Sequence, residues 1–161
     1  MQTKQPYQPK SIIKTMTTLH YAYSFAVLVF GTIALYITDN ATMNLNDTND
    51  IFFYLVPILA VGGVMASHFL FNSLLKTVHA KSTLKEKLTS YQSARIIRLA
   101  LIEGPAILGI VIFITTSNLF YLIISAILLV YMIFLRPTLQ IIKQDLNLTV
   151  DQNKELREAL K

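Results

Sequence analysis

The sequence predicts an all-α integral membrane protein: a four-helix bundle of two transmembrane hairpins, with both termini cytoplasmic. Three observations predict it. Apolar residues make up 53% of the 161 residues and charged residues only 14%. The apolar residues are gathered into four blocks of roughly 17 to 25 residues, the length that crosses about 30 Å of hydrocarbon. All 14 Lys and Arg fall in segments that four crossings would put on one side. The positive-inside rule assigns that side to the cytoplasm.

The elements follow in order. Residues 1–18 are polar, with Lys4, Lys10 and Lys14 and two prolines. The first apolar block is residues 20–38. It lies behind this polar stretch and lacks a small-x-small cleavage site, so it reads as a retained span rather than a signal peptide. Residues 39–50 carry three Asp and no Lys or Arg. The second block is residues 51–75. Residues 76–98, read as a loop, hold six basic residues and one acid. The third block runs from about Ile96 to Thr116. Ser117-Asn118 leaves room only for a tight turn into the fourth block, residues 119–135. Arg136-Pro137 ends that block: the proline cannot continue the helix, and the arginine can snorkel to the headgroups. Residues 1–136 thus form a four-span transmembrane domain. Residues 137–161 form a cytoplasmic amphipathic tail, in which Thr149 and Gln152 make a capping box.

The net charge of +5 is explained by this orientation and does not call for nucleic acid. The basic 76–98 loop and the 137–161 tail are expected to meet anionic lipid or a cytoplasmic partner. Aromatic residues cluster near the span ends, as an interfacial belt would. The chain has no cysteine, so it offers neither a disulfide nor a thiolate metal site. His20 and His79 fall at span edges and are expected in solvent. Three dispersed His and one membrane acid suggest no metal site and no cofactor. The sequence holds no phosphate-binding loop, no Ser-His-Asp order and no HExxH.

One residue breaks the apolar pattern of the third block. Glu103 lies roughly 4 to 5 Å from the centre of the span at helical rise. An ionised carboxylate there costs a few kcal/mol on insertion scales. It can stay protonated, or it can face a partner or water. Gly104 and Pro105 follow at once. Pro105 has no N–H, so the Leu101 carbonyl loses its usual partner and a kink is expected. A protonated Glu103 could donate to that freed oxygen. His68, Ser67 and Asn72 of the second span lie on the same half of the membrane, and a Glu103–His68 pair is expected if the two spans are neighbours. Glu103 and His68 are therefore the candidate proton- or ion-binding residues, with a structural polar clamp as the other reading. Gly62/Ala66, Gly63/Ser67 and Ala100/Gly104 are small-x-x-x-small pairs, expected to let helix backbones approach closely.

The stretch Ala100, Leu101, Ile102, Glu103, Gly104, with Ala106 and Gly109 following, resembles the acid-bearing helix of subunit c from the rotor ring of F-type ATP synthases. The resemblance spans roughly residues 55–116. It includes Gly62 and Gly63 in the preceding helix and Lys81 in the connecting segment. It implies an ion-carrying carboxylate at Glu103 in a two-helix hairpin. The long glycine repeat of that family is absent here, and the first and fourth spans have no counterpart in it.

Three functions remain open to the sequence. The first is a small non-enzymatic subunit or accessory protein of a larger membrane complex, in contact with other membrane subunits and the lipid bilayer. The second is a proton- or cation-binding membrane protein using Glu103. The third is a membrane enzyme acting on lipid, for which no cluster of polar residues converges. The expected location is a bacterial inner membrane.

Overall fold

The computed structural model describes residues 8–46 and 49–160. Lys4, Asp47 and Lys161, counted in the charge pattern above, lie outside the described residues. Six helices appear in order: α1 (Pro9–Ile37), α2 (Phe52–His79), α3 (Leu84–Thr116), α4 (Leu119–Phe134), α5 (Leu139–Leu146) and α6 (Val150–Ala159). No β-strand occurs among the described residues.

Three helices, α1, α2 and α3, are long and apolar enough to cross a membrane. The fourth apolar block gives a helix of 16 residues, about 24 Å at 1.5 Å per residue. It reaches the length of a span only together with α5, and the two are bent by 77°.

α3 is the hub. It packs against α2, α1 and α4 more extensively than those helices pack against one another. The pairing expected from chain order, α1 against α2 as a hairpin, is therefore not the main contact of either helix. The physical reason is the long connection between them. Residues 38–46 reach the α3–α4 turn and bind there. Thr42 N–H donates to the Ser117 carbonyl at 2.9 Å, and Leu119 N–H to the Thr42 carbonyl at 2.9 Å. The Asn118 amide donates to the Asn44 carbonyl at 2.8 Å and accepts from the Asn44 N–H at 3.1 Å. The same Asn118 oxygen caps α4 by accepting from Phe120 N–H. Ser117 takes the left-handed conformation, φ 54°, which ends α3 in one residue. The tight Ser117-Asn118 turn read from the sequence is thus present.

The basic segment 76–98 is helical, not a loop. α2 continues to His79 and α3 begins at Leu84, leaving only residues 80–83 between them. Thr83 caps α3, accepting from Glu86 N–H at 3.2 Å while Glu86 reaches back to Thr83 N–H. This is the reciprocal capping box.

Two apolar cores result. One lies between α1, α2, α3 and α4 and includes Val27, Val56, Ile102, Ala106, Phe113 and Tyr121. The other lies at the basic end, where α5 and α6 bury Ile142, Leu146 and Leu156 against Leu84, Leu88 and Tyr91. The tail is therefore part of the fold. The Thr149–Gln152 capping box is formed, at 3.2 and 3.4 Å. Gln152 also donates to the Ser82 carbonyl at 2.9 Å. At the C-terminus of α5, Lys87 Nζ donates to the Asn147 carbonyl at 3.2 Å. A cation suits that negative end of the helix dipole. Tyr91 donates to the Asp145 carboxylate at 2.6 Å, and the His79 ring meets the Asp145 carbonyl at 2.7 Å. His79 is exposed as expected, but it is bonded to the tail.

Candidate functional site

α3 carries Glu103, Gly104 and Pro105 on one continuous helix. Glu103 is half-buried, and no hydrogen bond or ion pair engages it among the described residues. The Glu103–His68 pair is not formed. His68 is exposed, and its ring shares a hydrogen bond of 3.0 Å with Asn72 Nδ2, one turn along the same helix. The i, i+4 spacing supplies a partner without any reach across to α3. Ser67 is buried and donates to the Val64 carbonyl at 2.8 Å, so it too is satisfied within α2.

Nor does Glu103 bond to the Leu101 carbonyl freed by Pro105. That oxygen is covered from α2 by Gly63. A Cβ at Gly63 would overlap the Leu101 oxygen and press on the Pro105 ring. A glycine is needed here because the two backbones meet. The proline and the glycine thus form one packing device between α2 and α3, and the acid stands outside it.

The other small residues separate into two groups. Gly62 and Ala66 are exposed, and a Cβ at Gly62 would meet nothing within 4 Å. Ala100 and Gly104 are exposed as well, and Gly104 also faces open space. These pairs do not pack the chain against itself. Gly109 does. A Cβ there would overlap Ser125 Oγ of α4 and lie 3.0 Å from the Tyr121 carbonyl. Ser125 in turn donates to the Ala106 carbonyl at 2.7 Å, fastening α4 to α3. Helix rotation decides which glycines face a neighbour, and spacing alone does not encode it.

A second polar group sits where α2, α3 and the α4 C-terminus meet. Arg95 is only 4% exposed. It donates to the carbonyl of Leu135, the residue that ends α4, and so caps that helix. Its guanidinium lies 6.0 Å from the Phe71 ring centroid, and that of Arg98 lies 4.4 Å from the same ring. Arg98 Nε is buried without a hydrogen-bond partner. No carboxylate lies within ion-pair distance of either arginine among the described residues. Asp145 is engaged by Tyr91. The sequence offered one signal for this group, Arg95 and Arg98 spaced three apart on one helical face.

His20 was expected in solvent and is instead 1% exposed. The reason is that α1 begins at Pro9, so His20 lies three turns inside the helix. Both its ring nitrogens are buried without a hydrogen-bond partner.

Against known protein families, characterised proteins and solved structures, the chain has no significant match.

Proposed function

We propose that this chain is a small non-enzymatic subunit or accessory protein of a larger membrane complex. It docks a transmembrane helix of another subunit on the α3 face formed by Ala100, Glu103 and Gly104. The observation that carries this reading is a half-buried carboxyl with no partner, beside two small residues that face open space. Small residues on an open helix face allow a second backbone to come close, and a polar group there supplies an interhelical hydrogen bond. The carboxyl sits where an unpaired charge would be costly, so the neighbour brings a donor.

In this proposal the chain crosses the membrane four times, with both termini cytoplasmic and the bacterial inner membrane as its location. The α4 geometry supports the fourth crossing. α4 starts beside the Asn118 clamp at one end of α3 and ends where Arg95 caps Leu135 near the other. The distribution of all 14 Lys and Arg supports the orientation.

One observation favours a second reading. The same free carboxyl, on a closely packed α2–α3 pair, suits a proton- or cation-carrying hairpin of the subunit c kind.

Photo-crosslinking tests the subunit reading. The chain has no native cysteine, so single cysteines at Ala100, Gly104 and the exposed control Met65 can carry benzophenone maleimide with no second label on this chain. In native membranes, Ala100→Cys and Gly104→Cys are expected to give one discrete protein adduct and Met65→Cys none. An adduct of twice the chain's mass would identify the partner as a second copy. Lipid adducts alone at all three positions would reject the subunit reading.

A further inference from the structure

We propose that Arg98, with Arg95 behind it, forms a binding site for a phosphate oxyanion, supplied by the headgroup of an anionic lipid. This rests on α3 lying in a membrane and not on the docking of a partner helix.

Depth comes first. Arg98 is 18 residues before Thr116 on one helix, about 27 Å at 1.5 Å per residue. If the α3–α4 turn marks one interface, Arg98 stands at the other, since the hydrocarbon is about 30 Å thick. That is the lysine- and arginine-rich end of the molecule, where an anionic leaflet surface draws basic groups.

Electrostatics comes next. Two guanidinium groups share the Phe71 ring, at 4.4 and 6.0 Å from its centroid. Asp145 offsets part of their mutual repulsion at Arg95 from beyond ion-pair distance, and no carboxylate lies within ion-pair distance of Arg98 among the described residues. Arg95 is buried and committed to the Leu135 carbonyl, so it contributes field rather than contact. Arg98 is the group that binds. Stacking on Phe71 fixes the plane of its guanidinium, and its buried Nε has no acceptor. A planar fork of donors held in this way matches two phosphate oxygens. The Nε is closed off from solvent, so the phosphate is met by the terminal nitrogens of the fork.

The test uses the purified full chain in detergent, titrated with short-chain phosphatidylglycerol, phosphatidylcholine or inorganic phosphate and read by native mass spectrometry. Phosphatidylglycerol is expected to bind about ten-fold more tightly than phosphatidylcholine, the ratio that one charge-assisted contact supplies. Arg98→Gln is expected to lose that preference. Arg136→Gln, at an exposed arginine beyond α4, is expected to keep it. A measurement on the unaltered chain covers failure of Arg98→Gln to fold. Phosphatidylglycerol, and not phosphatidylcholine, should protect Arg98 from phenylglyoxal. Displacement of the lipid by inorganic phosphate at matched ionic strength would assign the same site to free phosphate. Equal binding of both lipids, an unchanged preference in Arg98→Gln, or modification of Arg98 regardless of lipid would overturn the proposal.

Discussion

Gly109→Val is expected to destabilise the isolated protein by about 3 kcal/mol or more, from overpacking and a lost buried hydrogen bond. The new side chain would occupy the space of Ser125 Oγ and press on the Tyr121 carbonyl. Ser125 would have to move, and its 2.7 Å bond to the Ala106 carbonyl would break. Both groups are buried, so neither recovers a water partner. α4 would be pushed off α3, and the Asn118 clamp at the top of the same interface would be strained. The measurement is unfolding of the purified chain in mixed detergent micelles, followed by circular dichroism as the denaturing detergent rises. Gly104→Val, five residues earlier on the same helix, is the control. Its Cβ meets nothing within 4 Å, so a change within about 0.5 kcal/mol is expected. Equal losses at the two positions would show that the assignment of faces on α3 is wrong.

Gly104→Ile is expected to have the opposite pattern in native membranes. The purified chain should unfold as the wild type does. The larger assembly should be lost, with the chain migrating alone on a native gel. A branched side chain on the Ala100–Gly104 face holds a partner backbone away, and the interhelical hydrogen bond to Glu103 then cannot form. The two experiments together separate the inner face of α3, which holds this chain together, from the outer face, which the proposal assigns to a partner helix. An unchanged native-gel mobility for Gly104→Ile would remove the support for a docking helix.

The sequence made some of this legible and concealed the rest for physical reasons. The four apolar blocks became helices because a long apolar run has one dominant signal. The Ser117-Asn118 turn was legible because two residues between apolar blocks leave only a tight connection. The Thr149–Gln152 cap was legible because capping is local chemistry. The extensions of α2 and α3 through residues 76–98 were not, because polar helix and polar loop look alike once the apolar run ends. α5 was missed for the same reason. Its eight residues form a helix that buries Ile142 and Leu146 against α2 and α3, and isolated propensity is weak at that length. The site was harder still. Glu103, Gly104 and Pro105 stood out as one group, yet Pro105 works with Gly63 in packing while Glu103 stands apart. Gly62, Ala66 and Ala100 had the right spacing for packing and face outward. Gly63 has the same spacing and faces in. Arg95 gives no sequence sign that it caps α4 forty residues later, because that contact is created by the fold.

On the proposed docking, Glu103 is enclosed by another helix in the membrane and free only in the isolated chain. Dicyclohexylcarbodiimide tests it most directly, since this reagent enters lipid and reacts with protonated carboxyls. Labelling would be done across pH 5 to 9 in native membranes and again on the purified chain, with mass spectrometry locating the adduct. Little or no modification of Glu103 is expected in native membranes at any pH, and ready modification once the chain is purified. Strong labelling in native membranes that fades as pH rises would contradict it, and would establish Glu103 as an open, titrating acid of the ion-carrying kind.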